Sequence, residues 1–152
     1  MKNILTKILL KLLKFKPQTI GVPVIIINKG REILLGKRNE NSPFSAGLWG
    51  LPGGILDYGE KLTECVKRET KEELGVVVKV VKQSKKIYET FPSKNYSFHT
   101  LVIVFYAKIV EGVPKPKDET QEVRWIKPSE IKKMKLAYNH NEILKEEGLV
   151  KC

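Results

Sequence analysis

The chain of 152 residues is long enough to bury one ordinary core, and its 41% hydrophobic and 30% charged composition excludes a disordered or low-complexity protein. Its formal charge of +11 is unevenly spread: residues 1–31 carry seven basic side chains and no acid, so the other 121 residues amount to only +4. The two cysteines, Cys65 and Cys152, lack metal-ligand spacing and suggest no disulfide framework, which points to the reducing cytoplasm.

Residues 1–16, MKNILTKILLKLLKFK, place apolar side chains at 4, 5, 8, 9, 12 and 13 with lysines at 7, 11 and 14 between them. This is the pattern of a basic amphipathic helix. It is too short and too often broken by lysine to span a bilayer, and no small-residue cleavage site follows it. The helix either packs Leu5, Leu9 and Leu12 on the domain or on a second subunit of a homodimer, or it lies on an anionic membrane surface. Residues 17–152 read as one domain.

Within that domain, 20–27 is a buried strand, Asn28-Lys29-Gly30 a turn, and 32–37 the hairpin partner of the first strand. Residues 39–49, rich in Asn, Ser, Pro and Gly, form a loop that leads through Gly50-Leu51-Pro52-Gly53-Gly54 to a helix over 61–74, which Gly75 ends. One or two strands follow over 76–89, a long strand over 97–110, a Pro-containing turn over 112–117 and a short strand over 123–126. Pro128-Ser129-Glu130 starts a short helix, and 139–147 forms the last one. Strands and helices interleave without regular alternation, which predicts an α/β protein with a mixed sheet covered by helices.

The helix over 61–74 is unusual. Leu62, Cys65, Val66, Thr70 and Leu74 define its less polar side, and Lys61, Glu64, Lys67, Arg68 and Lys71 the other. Glu69 and Glu73 fall within roughly 40° of each other on the arc of Leu62 and Val66, with Glu72 at its margin. Carboxylates placed toward an interior need an arginine, a proton or a divalent cation to compensate them.

The stretch from Gly54 to Val76 matches the Nudix signature, G-x5-E-x7-R-E-x-x-E-E-x-G and an apolar residue, at Gly54, Glu60, Arg68, Glu69, Glu72, Glu73, Gly75 and Val76; Thr70 stands where a bulky apolar residue is usual. On these residues the chain resembles the Nudix (MutT-like) hydrolase family, over roughly 19–138. The resemblance implies an α/β/α sandwich with the signature helix against a mixed sheet. It also implies a divalent cation, Mg2+ or Mn2+, held by Glu69, Glu72, Glu73 and the Gly54 carbonyl, which suits a hard cation that prefers oxygen. The implied reaction is attack of water on a pyrophosphate phosphorus. Arg68 is expected to pair with a motif carboxylate, and Glu60 either caps the helix or contacts the metal. The proton acceptor is either a motif carboxylate or a glutamate of a later loop, for which Glu119 and Glu122 are candidates; an ordinary solvated acidic loop is the alternative for both.

Substrate residues are less sharply marked. Arg38 ends a stretch, Leu34-Leu35-Gly36-Lys37-Arg38, that resembles the LLxxR strand of the family, where a basic residue contacts phosphate; an exposed strand edge is the alternative. Phe44, Trp49, Tyr58, Tyr96, Phe98 and His99 are candidates to stack on a base or sugar, although Phe98 and His99 would face opposite ways in a regular strand. The segment SPFSAGLWGLPGG resembles GDP-mannose mannosyl hydrolases, Pro92 stands where ADP-ribose pyrophosphatases often carry a proline, and FPSKNYSFHT is similar to triphosphate-sanitising members. The intact acidic cluster favours cleavage at phosphorus. The expected substrate is therefore a nucleoside diphosphate linked to another group, of the ADP-ribose or sugar-nucleotide kind, or a (d)NTP, yielding a nucleoside monophosphate. A regulatory domain that binds a nucleotide without cleaving it, and an RNA-decapping or RNA-binding protein, are the alternatives. The nearly neutral remainder of the chain argues against a nucleic-acid partner.

Overall fold

The computed structural model describes residues 18–94 and 96–151, together with Ile4, Leu5, Ile8 and Leu12. The expected amphipathic helix over 1–16 lies largely outside the described residues, and the first continuous helix among them is that of the signature.

Strand β1 (Gln18–Ile26) is apolar on both faces from Val22 onward, so it belongs in the middle of a sheet. The next strand, β2 (Ile33–Arg38), does not form the predicted hairpin with it: a single bridge between Ile27 and Ile33 joins them before they part. The reason is competition for the edges of β1. One edge pairs antiparallel with β4 (Gly53–Ile55), and the other runs parallel to β6 (His99–Glu111), which pairs in turn with β5 (Val77–Thr90). The result is a mixed four-stranded sheet in the order β4-β1-β6-β5. Strand β2 lies instead between β3 (Trp49–Gly50) and β7 (Thr120–Ile126) in an antiparallel three-stranded sheet. Both β3 and β4 fall in the stretch expected to be a loop.

Alternation along the central strands builds two cores. Val22, Val24 and Ile26 of β1 join Phe105 and Ala107 of β6 on one face, and α1 (Leu62–Leu74) covers them with Cys65, Val66 and Leu74. Ile25, Val102 and Val104 face the other way, where Ile131 of α2 (Pro128–Ile131) and Ile143 and Leu144 of α3 (His140–Glu146) cover them. Helices therefore pack on both faces of the mixed sheet. Thr70, in place of a bulky apolar residue, is fully buried because its hydroxyl donates to Val66 O at 2.8 Å. At the end of α3, Glu147 accepts hydrogen bonds from Ser84 Oγ (2.5 Å), Tyr88 Oη (2.7 Å) and Tyr106 Oη (2.5 Å), which ties the helix to β5 and β6. Burial would raise the pKa of Glu147, but those three donors hold it below the usual carboxylate value.

Candidate active site

The site is built where β4 presses its main chain against α1. Gly53 has φ +132°, and a Cβ there would stand 2.2 Å from Val22 O, so no other residue fits. Its N–H donates to Glu73 Oε2 at 2.9 Å. A Cβ on the next residue, Gly54, would stand 2.3 Å from Glu69 Oε1. Two carboxylates of one helix face thus meet the Gly53-Gly54 backbone directly, as the spacing of four between Glu69 and Glu73 requires.

Burial dominates the electrostatics. It pushes the pKa of Glu73 up to about 8 against the opposing Gly53 N–H, and it raises that of Glu69 against the opposing pull of Arg68. Arg68, on the polar side of α1 by phase, folds back over the acids. Its Nε and Nη2 donate to the two oxygens of Glu60 at 2.8 and 2.9 Å, and its Nη1 donates to Glu69 Oε1 at 2.7 Å and Glu72 Oε2 at 3.2 Å. The fork to Glu60 is the bidentate geometry that arginine favours. Beside Arg68, and with a further N–H from Asp57 at 3.1 Å, Glu60 is held down to about 2. Glu60 therefore orders the turn before α1 and anchors Arg68; the helix cap, Lys61, has no side-chain hydrogen bond.

Among the described residues, no three carboxylate, imidazole or thiol groups are drawn together as a ready metal cage. The Arg68 guanidinium bridges Glu69 and Glu72 instead. The donor set nevertheless suits a hard divalent ion: carboxylate oxygens whose negative form is disfavoured by burial, beside a main chain with no side chain to block approach at Gly54. Gly54→Ala is expected to displace the Glu69 carboxylate and cut activity by roughly tenfold while the chain still folds, because the conflicting atoms end a flexible side chain. Steady-state kinetics with circular dichroism would check this; unchanged activity would show that the close approach is incidental.

A cavity of about 640 Å3 opens from these acids. Glu69, Glu72, Glu73, Gly53 and Gly54 line one part of it, Arg38, Glu119 and Tyr138 another, and Phe44, Tyr96 and Phe98 an aromatic part. Arg38 is fixed by Nε donating to Phe44 O at 3.0 Å; its Nη2 lies 3.9 Å from Glu119 Oε2 and its Cζ 5.3 Å from the Tyr138 ring centre. Edge-to-face contacts link Tyr96 to Phe44 (5.1 Å) and to Tyr138 (5.6 Å). The Thr100 hydroxyl lies 2.6 Å from both Tyr96 Oη and Thr19 Oγ1, completing a polar wall.

Four predicted residues lie elsewhere. Trp49 packs against the core on the α3 side, with Arg124 over its ring at 5.3 Å, and Glu122 pairs with Arg124 at 2.7 Å and Lys37 at 3.9 Å. Neither lines the cavity. The same holds for Tyr58, which is fully exposed, and for His99, which stacks on Phe91 at 4.9 Å. Sequence reasoning missed Tyr138 and His140, which reach the cavity from the C-terminal region. The φ of +52° at Tyr138 marks its unusual backbone, but sequence gives no local signal for it.

Comparison with known proteins agrees with this geometry. An ADP-ribose pyrophosphatase from Methanocaldococcus jannaschii is 37% identical over 121 residues, covering 80% of this chain and 68% of that protein. An NAD-capped RNA hydrolase NudC from Chromobacterium violaceum is 32% identical over 113 residues, and the match spans 73% of this chain but only 39% of the relative. The crystal structure of a MutT protein from Methanosarcina mazei Go1 superposes with a TM-score of 0.74 at 30% identity, covering 88% of this chain and 94% of that one. The profile of the NUDIX domain matches residues 17–146, and with the signature acids gathered on α1 against Gly53-Gly54, the chain belongs to the NUDIX family.

Proposed function

We propose that this NUDIX hydrolase of pyrophosphate bonds is divalent-metal-dependent and acts on a nucleoside diphosphate linked to a second group, with ADP-ribose as the first substrate to test. The observation that carries the reading is the pair Glu69 and Glu73, half-buried against the glycine backbone at one part of a cavity whose other part is aromatic. The likeness to an ADP-ribose pyrophosphatase supports the choice of substrate. A binding-only domain would have no use for carboxylates that burial penalises this heavily.

Glu69, Glu72, Glu73 and the Gly54 carbonyl would hold Mg2+, with Mn2+ as the alternative. When bound, such an ion neutralises phosphate charge and acidifies water. The protein's own residues do the rest. Arg68, anchored by Glu60, orients Glu69 and Glu72. Arg38, held by Phe44 O, offers the Nη atoms of its guanidinium to a phosphate oxygen, and Phe44, Tyr96 and Phe98 give a base or sugar an apolar seat. Glu119 is the base assigned here, since its carboxylate lines the cavity and can take the proton of the attacking water, whereas Glu122 points to Arg124. Glu119→Gln is expected to lower kcat by about 100-fold, the low end for a general base, because its side chain is open to water. Glu122→Gln should leave kcat near wild type; equal effects of the two would sink the assignment.

The direct test is chromatographic product analysis of the full chain with ADP-ribose, sugar nucleotides, NAD+, dinucleoside polyphosphates and NTPs, with magnesium present and then chelated. Magnesium-dependent release of a nucleoside monophosphate is the expected result. No turnover of any substrate by folded, metal-supplied protein would favour a nucleotide-binding role instead.

A further inference from the structure

Residues 1–16 hold five lysines and no acid. Among their apolar residues, Ile4, Leu5, Ile8 and Leu12 are described, all four with helical backbone and with exposures from 49% at Ile8 to 75% at Leu12. Positions 4, 8 and 12 share one face at helical spacing, with 5 beside them, and Lys7, Lys11 and Lys14 interleave in sequence. Four large aliphatic side chains left in water on one short segment indicate a surface that something covers.

The domain carries exposed apolar side chains of its own near the start of β1. Strand β1 starts at Gln18 opposite His99, and Phe91 stacks on His99, so the first described strand begins near Phe91. Phe91 is 62% exposed, and Ile87, four residues earlier on the edge strand β5, is 64% exposed. Exposed lysines at 85 and 94 flank this pair in the sequence. Apolar side chains thus alternate with lysines along the segment's sequence, and at the sheet edge Ile87 and Phe91 stand between Lys85 and Lys94, where the one intervening acid, Glu89, lies 3.2 Å from His99 Nε2.

We infer that the N-terminal segment and the Ile87–Phe91 edge together dock on an anionic lipid surface. Charge selects this occupant. A second copy would bring the same lysines face to face, and a nucleic acid would take the lysines but leave the aliphatic side chains in water. An anionic bilayer accepts both, headgroups meeting lysine and the acyl boundary receiving isoleucine and leucine. Each lysine near such a surface is worth roughly fivefold in partitioning. The apolar stretch is too short to cross, and among the described residues no helix is long and apolar enough to span a membrane. The segment therefore lies in the plane of the interface.

The test is flotation of the full chain with vesicles of phosphatidylcholine alone and of phosphatidylcholine mixed with phosphatidylglycerol, independent of any catalytic readout. Co-flotation with the mixed vesicles, reduced by salt and absent with phosphatidylcholine alone, is expected. The double variant Ile8→Glu/Leu12→Glu should lose on the order of 100-fold in partition coefficient, and Ile87→Glu roughly tenfold, with hydrolysis in solution unchanged in both. No flotation with the mixed vesicles overturns the inference, as does flotation that the double variant leaves intact. A dimer in light scattering that the double variant dissolves, without flotation, would assign the surface to a second copy. Salt-sensitive RNA binding without vesicle binding would assign it to nucleic acid.

Discussion

Glu73→Gln is expected to lower kcat/KM by on the order of 1,000-fold or more, equivalent to several kcal/mol of transition-state stabilisation, while the fold is retained. Glutamine has the shape of glutamate, and its carbonyl oxygen can still accept the Gly53 N–H that now ends at Glu73 Oε2. What it removes is the capacity to ionise toward a bound cation, on a helix face that it shares with Glu69. Burial already disfavours the ionised form, holding the Glu73 pKa near 8, so the unfolding midpoint at neutral pH without added metal should stay the same or rise. Activity and stability therefore move apart, which separates a functional acid from a structural one. Turnover at the wild-type rate under saturating magnesium would refute the ligand role. A large fall in the unfolding midpoint would instead make Glu73 part of the scaffold.

Much of this site was legible because a helix converts spacing into direction. The phase of Leu62, Val66, Thr70 and Leu74 placed Glu69 and Glu73 toward the interior, and the structure puts both against Gly53 and Gly54. Phase failed for Arg68, since a long guanidinium can leave the polar side of a helix and fold back onto Glu60 and Glu69. It failed differently for the short strands. Trp49–Gly50 and Gly53–Ile55 are too brief to show a period of two, and their glycines and proline read as loop signals. The pairing of β1 was misread for a related reason: proximity in sequence favoured a hairpin with β2, but only the long-range partners β4 and β6 fit a strand buried on both faces. Glu119 and Glu122 are alike in sequence; the fold sets Glu122 on β7, turned to Lys37 and Arg124, and leaves Glu119 just before that strand, at the cavity. Tyr138 reaches the cavity from 93 residues beyond its contact with Ser45, a proximity that only the tertiary fold creates.

His140 should make the protein sensitive to mild acid. Its ring is buried, and Nδ1 accepts the Leu51 N–H at 3.0 Å, which holds the neck of the loop leading to Gly53 and Gly54. Burial, reinforced by the positive charge of Arg38, lowers its pKa to about 4 from the usual 6.5. The folded state therefore refuses a proton that the unfolded chain accepts between those values. Above pH 6.5 both states are neutral and the full stability is present; as pH falls from 6.5 to about 4 it is lost at about 1.4 kcal/mol per pH unit, or ~3 kcal/mol in all. Glu73 acts oppositely in this window, since its raised pKa lets the folded state keep a proton that the unfolded chain releases. The measurement must cancel that contribution. Urea unfolding of wild type and His140→Asn across pH 7.5 to 4 does so, because Glu73 is common to both and asparagine can offer Oδ1 to the Leu51 N–H. The variant should be less stable at pH 7.5, having lost the ring from a packed site, yet should show a shallower decline toward pH 4, so that the difference between the two proteins narrows by ~3 kcal/mol. Parallel curves would mean that His140 is protonated in the fold at the same pH as in the unfolded chain, and the acid sensitivity would then belong to the carboxylates of α1.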